Sequence, residues 1–247
     1  MKSFFKSLLY RLFQKTGNRR SRVIYYHDVF EKSCHTEMGT PLDVFKTHIE
    51  EARAMGFSFV PEITESGNQL QICFDDGFRG VWETRNFFFE EKIFPTIFLA
   101  IDLVDQDGYL KKDEIRELQE HGFRFQSHTW SHKNLTKFTD SELEHEISDS
   151  KSELEKILGK EVDELCFPQG FFSQRVIKIA LSSGYEKLYT SLPGGRFEST
   201  GIDPTEKLIC RSFAQGISLQ DFRATLHGGD RALFWIRKRK HYDKKDF

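Results

Sequence analysis

QLQICFDDGF, residues 69–78, is the stretch on which the reading of this 247-residue chain turns. An apolar run ends on two adjacent carboxylates, Asp75 and Asp76, and then a glycine, Gly77. Neighbouring carboxylates at the end of an apolar strand are costly unless a cation or separate roles offset them. Adjacent strand residues point to opposite faces, so both reach one spot only if the backbone bends there. Gly77 supplies that bend. Taken alone, Asp-Asp-Gly also reads as a surface turn, so the flanking chain has to decide.

Outward from this stretch, strand and helix patterns alternate. Strands are expected at 22–29, 57–61, 69–75, 94–101, 123–127, 165–167, 185–191 and 207–213. Helices are expected at 41–55, 79–92, 111–121, 139–158 and 173–183, with one more starting at 218. Thr139 with Glu142 forms a capping-box pattern, and Gly159 is a stop signal for that long helix. Alternation of this kind points to an α/β fold with a parallel sheet and helices outside it. No GxGxxG follows the first strand, which speaks against a dinucleotide-binding sheet. Polar clusters stand at strand C-terminal ends: His27-Asp28, Asp75-Asp76, Ser127-His128 and Pro168-Gln169. Chemistry at that end is the habit of barrels, so a barrel-like architecture with one site is expected.

Ser127-His128-Thr129-Trp130-Ser131-His132 is the second constellation. Two histidines at i and i+4 converge on one metal from a helical turn or a tight loop. An isolated HxxxH is more often a pair of hydrogen-bonded histidines. One carboxylate and two imidazoles leave metal positions open for water and substrate, the pattern of a catalytic centre.

Four segments now stand in order: Tyr26-His27-Asp28-Val29, Phe74-Asp75-Asp76-Gly77, the Ser127–His132 run and Phe167-Pro168-Gln169-Gly170. In this order they resemble the polysaccharide deacetylase family, the NodB-homology carbohydrate esterases of family 4, over residues 22–190. The resemblance implies a distorted (β/α) barrel of about seven strands. It implies Asp75 as catalytic base and Asp76, His128 and His132 as ligands of one divalent metal, usually zinc. Gln169 stands where the family has a tyrosine after the proline; with Pro168 it matches the substrate and oxyanion segment, where a backbone N–H survives a change of side chain. The third family motif often carries an arginine where this chain has Cys166. Arg211, in Leu-Ile-Cys-Arg-Ser-Phe, resembles a later arginine that orients the base or keeps it ionised. The Leu-x-His motif that supplies the general acid has no clean match. Leu226-His227 is close in order, and His27 is a competing proton donor at the barrel mouth. His35, His48, His121, His145 and His241 receive no role. The implied activity is metal-dependent hydrolysis of an acetyl group from an N-acetylated sugar in a surface polysaccharide, glycolipid or lipid-linked precursor. Deformylation, O-acetyl ester hydrolysis with the same site, or a catalytically inactive carbohydrate-binding module are the alternatives.

Charge is unevenly spread. Residues 1–22 hold seven basic side chains and no acid; residues 231–247 hold seven basic against two acidic. The body, 23–230, keeps 22 basic and 36 acidic residues, which does not fit a nucleic-acid binder. Three segments follow: a basic amphipathic segment at 1–21, a catalytic domain at 22–230 and a basic tail at 231–247. Phe4, Phe5, Leu8, Leu9, Leu12 and Phe13 recur at helical spacing, interrupted by Lys6 and Arg11. That fits an interfacial helix or one packed on the domain, not a signal peptide. The expected location is cytoplasmic, peripheral at an anionic inner membrane face. The four cysteines form no CxxC pair, so neither a disulfide framework nor a zinc ribbon is expected.

Overall fold

Short β-branched and aromatic runs build one parallel sheet, seen in a computed structural model that describes residues 19–243 together with Ser7, Leu8, Tyr10 and Leu12. Its strands are β1 (Arg22–Tyr26), β2 (Ser58–Phe59), β3 (Gln69–Phe74), β4 (Thr96–Leu99) and β5 (Arg124–Ser127). They continue with β6 (Glu164–Cys166), β7 (Lys187–Tyr189), β8 (Leu208–Ile209) and β9 (Ser212–Phe213). The hydrogen-bonded order is β8-β7-β6-β5-β4-β3-β1-β9, with β2 also paired to β3. The first and last members of that path belong to one stretch of chain. Leu208 and Ile209 pair with Leu188 and Tyr189 at one edge. Ser212 and Phe213 then pair with Ile24 and Tyr25 at the other. Residues 208–213 are therefore shared by both edges, and the sheet curls into a distorted barrel with Cys210 and Arg211 spanning the seam. Because β8 and β9 form one stave, the count of about seven holds.

Alternation along each strand sorts the core into two parts. Ile24, Tyr26, Ile72, Phe74, Ile97 and Leu99 belong to the large cluster that includes the helices. Val23, Tyr25, Cys73, Phe98, Cys166, Tyr189 and Ile209 form a second, smaller cluster inside the barrel. At the N-terminal end of the barrel, Glu164 is fully buried and accepts from Arg124 at 2.7 Å and Lys187 at 3.0 Å. Two opposing cations offset the cost of burying that carboxylate. The opposite, C-terminal end is left for the site.

The helices differ from expectation in three places. The helix expected at 79–92 splits into Gly80–Glu83 and Arg85–Glu91, because Thr84 leaves helical geometry and its hydroxyl bonds the Gly80 carbonyl at 2.8 Å. The helix starting at Thr139 has the expected capping box, but it widens into a π turn at His145–Asp149. Residues expected as a basic tail instead form helix Phe234–His241, after which Tyr242 and Asp243 pair with Phe172 and Ser173. Of the N-terminal apolar stripe, Phe4, Phe5, Leu9 and Phe13 lie outside the described residues. Tyr10 is buried, while Leu8 and Leu12 are exposed.

His48, given no role from sequence, proves to be a core residue. It lies on helix Leu42–Ala54, 1% exposed, stacked on Phe222 with ring centroids 4.2 Å apart. The Tyr26 hydroxyl is 2.9 Å from its Nδ1. Burial lowers its pKa to about 4, against a smaller opposing effect of a backbone hydrogen bond to Ile217. Above pH 6.5 both folded and unfolded states hold this ring neutral, and its contribution is flat. Between pH 6.5 and 4 only the unfolded chain takes the proton, so stability falls as pH falls. We expect this single group to remove about 3 kcal/mol across that window. Urea unfolding from pH 7.5 to 4 checks it: His48→Gln should be less stable at pH 7.5 and show a shallower loss on acidification. A slope equal to the wild type's would assign the acid sensitivity elsewhere.

Candidate active site

At the end of β3 the chain turns through two consecutive left-handed residues, Asp76 (φ 71°) and Gly77 (φ 77°). The turn explains how neighbouring carboxylates reach the same pocket. Glycine is favoured at 77: the φ is left-handed, and a Cβ there would stand 2.4 Å from Leu99 Cδ2, which would have to shift. Thr129 (φ 69°), His132 (φ 57°) and Gln169 (φ 56°) are left-handed as well. Such geometry costs of order 1–3 kcal/mol per non-glycine residue and gathers where function demands it.

Asp75 is 4% exposed, and its carboxylate receives a two-pronged bond from Arg211, at 2.6 and 2.8 Å. The guanidinium is held on every side. Its Nε donates to the Thr190 carbonyl at 3.0 Å, one Nη lies 2.9 Å from Cys166 Sγ, and the Tyr25 ring is 4.3 Å away. Burial alone would raise the Asp75 pKa, but the Arg211 charge and hydrogen bonds overcome it and hold the carboxyl below its ordinary value. Cys166 occupies the place where the resemblance leads one to expect an arginine. Its small side chain leaves room for Arg211 to arrive from the seam.

Asp76 faces the two histidines. Its Oδ1 lies 3.4 Å from His128 Nε2 and 2.9 Å from His132 Nε2. His128 Nδ1 is 2.8 Å from the Cys166 carbonyl, an acceptor, which puts the proton on Nδ1 and turns the Nε2 lone pair toward Asp76. Asp76 Oδ1 is buried and makes no hydrogen bond. Burial pushes the Asp76 carboxyl up; the two histidines in their cationic form outweigh it and hold it far below the usual carboxylate range, an attraction that a divalent cation would supply in their place. An orphaned carboxylate oxygen between two imidazole nitrogens fits a divalent cation, and these three donors lie within 4.8 Å of one another. A second cluster, Asp75, His128 and Cys166, meets the same distance. It fits a cation poorly, because Arg211 occupies Asp75 and burial keeps the Cys166 thiol protonated by raising its pKa well above normal.

The histidine pair sits on a loop after β5 and not on a helix. Glu146, from the π turn, accepts from the Trp130 and Ser131 N–H groups at 3.2 and 3.0 Å and also from the Ser131 hydroxyl. Sequence reasoning missed this anchor, since nothing in the spacing of Glu146 marks it.

The pocket, about 280 Å³, is lined by Asp75, Asp76, His128, His132, His27 and Gln169, among others. Tyr25 and Ser191 line it as well. His27 turns into it, with Nδ1 and its own N–H both on Gln215 Oε1 at 3.0 Å. Asp28, its neighbour, points away, where a Cβ on Gly80 would stand 2.3 Å from its Oδ1. Gln169 follows the buried Pro168 in a tight turn and donates its amide to the His132 carbonyl at 3.4 Å. His227, the other expected proton donor, is not brought to this pocket: it is the C-cap of helix Leu219–Leu226. His241, set aside from sequence, lines the pocket together with Arg237 and Lys240.

The profile of the family called polysaccharide deacetylase matches residues 63–188, just over half the chain. The chain belongs to the polysaccharide deacetylase family. The Bacillus subtilis protein YxkH, which bears a polysaccharide deacetylase name, is 22% identical over 191 residues, covering 73% of this chain and 67% of that one. Two solved structures share the deacetylase fold. A polysaccharide deacetylase from Bacillus cereus superposes with TM-score 0.73 at 23% identity, covering 86% of this chain and 70% of that one. The Streptococcus pyogenes deacetylase PplD, solved with acetate, gives TM-score 0.74 at 17% identity, covering 84% and 98%.

The buried ion pair makes a direct test available. Arg211→Met leaves the Asp75 charge buried without a partner and should cost about 3–5 kcal/mol of unfolding free energy. Adding Asp75→Asn should restore part of it. Denaturant unfolding of both single variants and the double variant reads this, and strictly additive losses would show that the two side chains are not coupled.

Proposed function

We propose that this family member is a metal-dependent N-deacetylase that releases acetate from an N-acetylated sugar of a surface polysaccharide, glycolipid or lipid-linked precursor. The observation that carries the reading is the convergence of one Asp76 oxygen and two imidazole Nε2 atoms on one point, beside a carboxylate that Arg211 keeps ionised. Asp76, His128 and His132 would hold a divalent cation, zinc by its preference for this donor set. When bound, that ion supplies acidification of a water and polarisation of the acetyl carbonyl.

The rest falls to side chains of this chain. Asp75 takes a proton at its carboxylate as general base, while Arg211 fixes its orientation and its charge. The Gln169 backbone N–H, set by Pro168 and a left-handed turn, is the donor we assign to the developing oxyanion. His27 is the proton donor toward the leaving nitrogen, since Gln215 fixes its Nδ1 and leaves Nε2 for the pocket. PplD, whose structure was solved with acetate, supports the acyl group chosen.

Metal content and acetate release separate the roles. Asp75→Asn should keep the metal and lose about 100-fold or more in kcat. Asp76→Asn and His128→Ala should lose stoichiometric metal. Exchange of the two phenotypes would reverse the assignment of base and ligand. Formate or O-acetyl release in place of N-acetyl release would select the alternative chemistry, and metal binding without turnover would point to an inactive carbohydrate-binding member.

A peripheral contact with an anionic membrane surface is a second proposal. Leu8, Leu12, Trp235 and Ile236 are 44%, 69%, 73% and 63% exposed. Tyr10, between Leu8 and Leu12 in sequence, packs against Gly229, five residues before helix Phe234–His241: its carbonyl would stand 2.0 Å from a Cβ there. Arg239 lies beside the exposed pair on helix Phe234–His241, so apolar insertion and charge attraction coincide. Co-sedimentation should require anionic lipid, weaken with salt and fall in Trp235→Ala/Ile236→Ala. Equal binding to neutral vesicles would discard the proposal.

A further inference from the structure

One wall of the pocket comes from residues that the reaction above does not use. Helix Phe234–His241 presents Arg237, Lys240 and His241 to the same cavity as Asp75 and Asp76. The helix is held there by its end, where Tyr242 pairs with Phe172 just past the Pro168–Gly170 turn.

Charges within the barrel are already matched. Arg211 answers Asp75, and Arg124 with Lys187 answers Glu164. Arg237 and Lys240 are not: among the described residues neither forms an ion pair. Arg237 is half-buried and Lys240 exposed. His241 adds a polar atom. It is 4% exposed, and its Nδ1 has no hydrogen-bond partner. A Cβ on Gly170 would stand 3.1 Å from that Nδ1 and 2.8 Å from Ser191 Oγ, so glycine leaves this corner of the pocket open. Burial, with help from Arg237 and Lys240, lowers the His241 pKa to about 4, which leaves a neutral ring at neutral pH.

We propose that Arg237, Lys240 and His241 form an anion-binding subsite, and that the substrate is an N-acetylated sugar carrying a phosphate or carboxylate group next to the scissile acetamide. The proposal rests on the deacetylase reading and names its substrate class. A cavity of about 280 Å³ is at the small end of ligand pockets and suits one sugar, so the anion belongs to that sugar or its immediate attachment. Arg237 and Lys240 stand one helical turn apart on the same wall, and a neutral glycan would give neither of them a counter-charge. An anion there takes charge-assisted bonds from both and accepts one more from the His241 ring.

Matched probes test this: N-acetylglucosamine 1-phosphate, N-acetylmuramic acid, vesicle-embedded polyprenyl-diphosphate-linked N-acetylglucosamine, and uncharged methyl N-acetylglucosaminide. We expect at least one anionic probe to exceed the neutral glycoside in kcat/KM by about 10- to 100-fold, as two charge-assisted contacts supply. The three anionic arms tell a free phosphate, a carboxylate and a lipid-borne diphosphate apart. The preference should shrink toward one in Arg237→Gln/Lys240→Gln, return in Arg237→Lys/Lys240→Arg, and weaken with salt. Calorimetry of the soluble probes in the Asp75→Asn background gives the same comparison without turnover. A wild type that treats charged and neutral probes alike overturns the subsite while acetate release keeps the deacetylase reading. A preference that survives Arg237→Gln/Lys240→Gln also overturns it. If no probe releases acetate, the deacetylase reading fails and the calorimetric preference alone decides the subsite.

Discussion

The ion pair between Arg211 and Asp75 organises this molecule. Both groups are buried, and each would be costly without the other. Their meeting depends on the seam: Arg211 sits where one short stretch leaves the β7 edge and joins the β1 edge. From there its side chain reaches the barrel interior and grips the carboxylate at the end of β3. Tyr25 and Cys166 fix the guanidinium, and the guanidinium fixes Asp75. With Asp75 fixed, the left-handed turn at Asp76 and Gly77 has one way to go, and it carries the second carboxylate to the histidines.

Around that pair the site assembles from unlike kinds of support. β3 supplies the carboxylates rigidly. The histidines come from a loop, and a loop alone would place them poorly, so Glu146 ties its backbone from outside. Gln169 braces the loop from a third side through the His132 carbonyl. The left-handed residues mark where backbone comfort has been given up to aim side chains, and each lies next to such a brace.

Much of this was legible in the linear chain, for physical reasons. Alternating strand and helix signals defined the α/β class, and polar residues at strand ends pointed to a barrel. Asp75, Asp76, His128 and His132 stood out because their chemistry is packed into short motifs. Arg211 was legible only through the family resemblance, since a lone arginine in an apolar strand has no local signature. Arg237, Lys240 and His241 were read as tail because a basic run looks the same whether it faces solvent or a pocket. Glu146 was silent too: its role depends on a π turn, and helix periodicity does not announce one. The break at Thr84 had the same origin, as a hydroxyl competing for a helix carbonyl is a local event that propensity averages over.

The seam at Cys210 and Arg211 also bears on how the molecule is made. Arg211 lies 136 residues after Asp75, so the carboxylate emerges from synthesis long before its counter-charge. Strands β1 to β7 can align as an open sheet beforehand, but that sheet keeps two raw edges and a hydrated Asp75. Closure by residues 208–213 dries the interior and delivers the guanidinium in one event, a long-range contact of the kind that forms late. On the proposed reading, catalytic competence is thereby tied to completion of the barrel: a nascent or partly unravelled chain displays Asp76, His128 and His132 and yet lacks the Arg211 contact that holds Asp75.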